Sequence, residues 1–248
     1  MRAGRGTACR GKLRDGKFRK WTMTEENPES RLIEIQDRLK RLEHNLPRRV
    51  DGFAISPISK LPSKALFYRA TLMWRMAELA RCALSHFGKR ELASAILLTR
   101  AAIETSAAVW YLHKKVSASV ESGKVGDIDE YLMKLLMGSK NDPAVPDPVN
   151  VMTFVDYVDK EIVGFRSQYD SLSEFAHPNW AGTFLLYAKP DAAKGWIDFG
   201  VNTRAAQGPR IGGLANLSVA LLVFEERCNR IDEIIASFIA ICEKNLRG

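Results

Sequence analysis

The sequence predicts an all-α protein, a helical bundle of six or seven helices with a small β-hairpin appended near residues 183–201. Apolar residues recur at steps of three and four through most of the chain, and prolines and glycines cut it into pieces of helical length. A hydrophobic content of 46% over 248 residues supplies apolar surface for a sizeable core and excludes a natively unfolded chain.

The elements follow in order. Over residues 24–46, Leu32, Ile35, Leu39, Leu42 and Leu46 make an apolar stripe between charged residues, which predicts an amphipathic helix and a candidate homodimer seam. Prolines 47, 57 and 62 with Gly52 break it. Leu66, Ala70, Met73, Ala77, Ala80, Leu84 and Phe87 then line one face of a second helix, with Arg69, Arg75, Glu78 and Arg81 elsewhere on it. A third helix is expected from about Arg90 to Val116. A fourth begins at Asp127, where Asp followed three residues later by Glu130 suggests a capping box, and ends at Gly138. The loop 139–149 carries three prolines, and irregular connections of that length are commonly functional. Val151, Phe154, Val155, Val158 and Ile162 mark a fifth helix. Residues 166–177 form a sixth, stopped by Pro178, which disfavours helical backbone at His177. Aromatic and β-branched runs at 183–188 and 196–201 read as the hairpin, and residues 211–245 as a long last helix. One helical domain, 23–248, is expected, with no internal repeat.

Charge is unevenly spread. The formal net charge is +8, yet residues 1–20 hold eight Lys/Arg against Asp15 alone, so the remaining chain is within about one charge of neutral. Residues 1–22 read as a basic, disordered extension without the apolar run of a signal peptide, and Met23 is an alternative start. A strong attraction to RNA or other nucleic acid would have to come from that extension or a local patch. Cys9, Cys82, Cys228 and Cys242 show neither disulfide nor zinc spacing, which points to a reducing, cytoplasmic setting. The apolar stretch 214–224 is too short for a membrane span, and no membrane association or cofactor is expected.

Two polar groups stand out. Arg100 and Glu104 are the only charges between Glu91 and His113, on a stripe shared with Ala93, Leu97, Ala108 and Tyr111. A charged pair among apolar neighbours seldom adds stability over apolar side chains, so it calls for another reason, either a register-fixing salt bridge or a site. The second group is Tyr169, Asp170, Ser171, Ser173, Glu174, His177, Asn179 and Trp180. His177 at a helix C-terminus would feel the negative end of the dipole, which suits it to proton transfer or, more simply, to capping. Arg100, Glu104 and His177 are therefore expected to converge as a candidate catalytic set, with Tyr169, Asp170, Glu174, Asn179 and Trp180 as candidate binding residues. Their spacing matches no recognised metal site, and no metal is assigned. Gly208, Arg210, Gly212 and Gly213 before the last helix could present N–H groups to an anion or form a plain glycine-rich turn.

The segments RAAIE at 100–104, LMGSK at 136–140, VNVMTFVD at 149–156 and YDSLSEFAHPNW at 169–180 resemble a widespread, uncharacterised group of bacterial helical proteins. The chain is also distantly similar to the HEPN superfamily, helical bundles that often act as RNases or nucleic-acid-associated partners in defence and toxin systems. That resemblance implies a His177 acid or base with an arginine four to six intervening residues before it. The corresponding positions hold Leu172, Ser171 and Asp170, so Arg100 would have to supply the guanidinium from another helix. Two readings result: a non-enzymatic helical interaction protein with a buried Arg/Glu/His pocket, or a HEPN-like RNase.

Overall fold

A computed structural model describes residues 28–247. The basic extension expected over residues 1–22, Met23 and Cys9 lie outside the described residues. Within them the chain forms nine helices and one two-stranded antiparallel sheet. Helices α2 (Gly52–Ile55) and α8 (Phe184–Tyr187) are single turns. Seven longer ones remain: α1 (Pro28–His44), α3 (Leu61–Lys89), α4 (Leu92–Ser122), α5 (Ile128–Met137), α6 (Val151–Asp159), α7 (Phe165–Ala176) and α9 (Gln207–Arg247).

Helix α4 is the axis of the bundle. Ala, Ile, Leu and Val dominate it on all sides, and α3, α9, α6 and α7 surround it, burying Ile96, Ile103, Val109, Trp110 and Leu112. By length and composition alone it could cross a membrane, but its apolar surface is largely buried inside the bundle. Arg90, in left-handed conformation at φ 63°, reverses the chain between α3 and α4. Where α3 meets α9, a Cβ on Gly213 would lie 2.6 Å from the Phe87 ring, so only glycine permits that approach.

The first helix uses its stripe within the chain. Ile35 and Leu39 are buried in the core, where α1 packs on α9 and α3. Arg38 and Arg41 both reach Glu225, at 2.6 and 2.8 Å, and Ser218 donates to Glu34 at 3.1 Å. The stripe that suggested a dimer seam is thus already covered.

Three local expectations are corrected. Asp127 stands at the N-cap of α5 but makes no side-chain capping bond, so the capping box is absent. Residues 184–187 are helical, because Leu186 and Tyr187 N–H groups turn back to the Thr183 carbonyl; the hairpin consists of β1 (Ala188–Asp191) and β2 (Trp196–Phe199) only. Gly208, Gly212 and Gly213 lie inside α9, which starts earlier than the apolar pattern announced.

Candidate functional site

Helix α3 turns Tyr68, Leu72, Arg75, Glu78 and Arg81 to one side, at the three- and four-residue steps that keep a helical face together. That side borders a cleft of about 820 Å³ whose other walls are Glu104, Thr105 and Ala108 of α4, Leu135 and Leu136 of α5, and Val151 and Phe154 of α6. The proline-bearing loop 139–149 joins the last two walls. A Cβ on Gly138 would meet the Lys134 carbonyl at 2.3 Å and Pro148 Cα at 2.7 Å, so this glycine lets the loop close tightly.

The cleft has an apolar floor and a charged rim. Arg75 donates to Thr105 Oγ1 at 3.2 Å and meets no carboxylate within 4 Å among the described residues; Arg81 is paired with Glu43 at 3.0 Å. Burial pushes the Tyr68 hydroxyl up to about 12, against the pull of Arg75, so it stays protonated. Trp74 stands at the edge, its indole N–H donating to the Pro47 carbonyl at 2.9 Å.

Glu104 connects this cleft with the polar pair read from the sequence. Its ion pair with Arg100 is long, 3.6 Å, and the two side chains keep 26% and 29% of their surface exposed. They lie at the margin of the core, beside Leu97, which is about half exposed. The link between them is Tyr169. Arg100 Nη2 donates to the Tyr169 hydroxyl at 2.5 Å, and that hydroxyl donates to Glu104 Oε1 at 3.0 Å. The guanidinium carbon also lies 4.9 Å from the phenol ring centroid. Burial, above all, raises the Tyr169 pKa; the hydrogen bond from Arg100 opposes it and Glu104 adds to it. The phenol therefore remains neutral and passes a hydrogen bond from cation to anion.

His177 is not the third member. Phe165, Tyr169 and Leu172 form the buried stripe of α7, whereas His177 follows the last turn as its C-cap, with extended backbone and an exposed side chain. It makes no hydrogen bond or ion pair with Arg100 or Glu104. The buried Arg/Glu/His pocket is corrected to a half-buried Arg100–Tyr169–Glu104 relay.

The rest of the polar segment is spent on local architecture. Asp170 is tied to Arg166 at 3.1 Å, and Arg166 also holds Asp156 at 2.7 Å. Asn179 donates to Glu174 at 2.8 Å and accepts from the Gly182 N–H at 3.0 Å. A Cβ on Gly182 would lie 2.1 Å from the His177 carbonyl oxygen, so the turn after the helix demands glycine. Trp180 is 65% exposed.

A buried group escaped sequence reasoning. Arg227 of α9 stacks on Trp110 of α4, its Cζ 3.4 Å from the ring centroid, and donates to His113 Nδ1 at 3.3 Å. Because arginine has only donors, Nδ1 must accept, leaving Nε2–H for Ser117 Oγ at 3.2 Å. Burial, with Arg227, Lys114 and Arg230 adding to it, lowers the His113 pKa to about 4. The arrangement joins α4 to α9 and, through Lys114 and Glu161 at 2.5 Å, to the segment between α6 and α7. The free thiols Cys228 and Cys242 are buried, which pushes them up to about 12 and 11 and leaves them chemically quiet. No group of three His, Cys, Asp or Glu side chains placed to hold a metal occurs among the described residues.

Comparison of the chain with protein-family models, with curated proteins and with solved structures yields no match.

Proposed function

We propose that the protein is a non-enzymatic binding protein whose ligand, a small amphipathic anion, occupies the cleft between α3, α4, α5 and α6. The observation that carries this reading is the cleft itself. Its volume of about 820 Å³ falls in the range of small-molecule sites, and its floor is apolar. Its rim presents Arg75, a guanidinium with no carboxylate within 4 Å among the described residues. An apolar body would pack against Leu72, Leu135 and Phe154 while its acidic end meets Arg75. Glu104, held by Tyr169, is the fixed acceptor on the opposite wall.

Anilinonaphthalene sulfonate, an aromatic anion of suitable size, is the probe. It should bind at one site per chain with enhanced fluorescence. Ala108→Phe, which fills the cleft, and Arg75→Gln, which removes the exposed charge, should each weaken binding about tenfold or more, with circular dichroism unchanged. Titrations identical to wild type in both variants would sink the reading. The nuclease alternative makes a separate claim: wild-type protein would degrade total cellular RNA and the His177→Ala variant would not. That outcome would overturn a non-enzymatic role.

A further inference from the structure

A second, smaller cavity of about 270 Å³ lies at the far end of α3, enclosed by Arg90, Leu92, Val201, Thr203, Ala206, Gln207 and Arg210. It brings together the αL residue between α3 and α4, the start of α4, the exit from the hairpin and the first turn of α9. None of its lining residues is acidic. Neither Arg90 nor Arg210 meets a carboxylate within 4 Å among the described residues. The adjacent acid, Glu91, is already engaged by His86 at 2.5 Å.

Arg90 and Arg210 both line this cavity, so its wall carries positive charge that an anion would offset. Arg210 is half-buried at the start of α9 and lines the cavity wall. Arg90 carries a sign of expense, since a residue with a Cβ at φ 63° occupies backbone space that glycine fills more cheaply. The Thr203 hydroxyl, the Gln207 amide and the positive end of the 41-residue helix α9 surround the same space.

We infer that this cavity is an anion site for a small phosphate monoester, independent of the cleft. Two planar guanidiniums match the paired oxygens of a phosphoryl group, as a point charge such as lysine would not. The volume left beyond the phosphate is bounded by Leu92, Val201 and Ala206, which suits a short carbon body.

Calorimetric titration of the full chain with inorganic phosphate and with glycerol 3-phosphate tests this. Both should bind at one site per chain, glycerol 3-phosphate more tightly, while equimolar chloride produces no saturable signal. Arg210→Gln should weaken both at least about tenfold. Arg90→Gly guards against a folding artefact: it relaxes the αL backbone, so the melting temperature should hold or rise while phosphate affinity falls. Binding of anilinonaphthalene sulfonate in the cleft should survive Arg90→Gly, which separates failure of this site from failure of the other. Absence of saturation by either phosphate, or equal affinity in wild type and both variants, would overturn the assignment.

Discussion

Tyr169 does what neither of its charged partners can do for the other. Arg100 precedes Glu104 by four residues, the weaker helical order for such a pair, and at 3.6 Å their direct contact is an ion pair without a good hydrogen bond. The phenol completes it from another helix. Tyr169→Phe preserves the ring and removes the link, leaving Arg100 Nη2 without its acceptor. With both charges about a quarter exposed, solvent recovers part of the loss, so the expected cost is about 1 kcal/mol, read as a lower urea midpoint with unchanged slope. No change in midpoint would mean that water replaces the hydroxyl fully. The need for such a partner was legible in the sequence, because two charges stood alone among apolar residues over more than twenty positions. Its identity was not. The dipole argument favoured His177, but helical phase decides direction: the buried stripe of α7 runs through residues 165, 169 and 172, and position 177 falls after the helix has ended. Arg75 and Arg81 were likewise set aside as charges off the apolar face, since a sequence does not show whether that face meets water or the wall of a cleft.

Among the elements, helices were readable wherever one face alternated with polar residues, and their ends wherever glycine or proline stood there, as at Gly138 and Pro178. The hairpin was half legible. Aromatic residues in F-L-L-Y suit a strand by propensity, yet the Asn179–Gly182 turn delivers the chain with Thr183 positioned to accept from Leu186 and Tyr187. Helix α1 illustrates a different limit: periodicity identifies the apolar stripe and is silent on which surface covers it. The cover is α9, 180 residues away, together with α3. Leu39→Asp therefore places a charge in the protein's own core, where it should lower stability by about 3 kcal/mol or more. The expected observation is a marked fall in melting temperature with the sedimentation of the folded fraction unaltered. A clean change from dimer to monomer at constant melting temperature would show instead that the stripe is an interface.

At the scale of the molecule, α4 and α9 form the frame on which the remaining helices assemble, and the His113–Arg227 contact fastens the two together. The contact requires a neutral imidazole, since Arg227 donates to Nδ1 and a protonated ring would bring a second cation to the same place. The fold accordingly lowers the His113 pKa from 6.5 to about 4. The sign of the linkage follows. Between those values the unfolded chain binds the proton and the folded chain does not, so the stabilisation is complete above pH 6.5 and is lost as pH falls toward 4. With allowance for screening by the solvent that reaches the ring, the loss is about 2 kcal/mol. Carboxylates contribute in the same direction at lower pH; burial acts to raise Glu225, but Arg41 and Arg38 hold it below its ordinary value, so its pairing fades on acidification too. A comparison of two proteins isolates the histidine. His113→Gln keeps a group able to accept from Arg227 but cannot titrate, so the variant should lose less stability than wild type between pH 6.5 and 4.5 in parallel urea unfolding. Parallel losses in the two proteins would show that His113 takes up a proton as readily in the folded chain as in the unfolded one, and that Arg227 is held by Trp110, Glu226 and Glu161 without it.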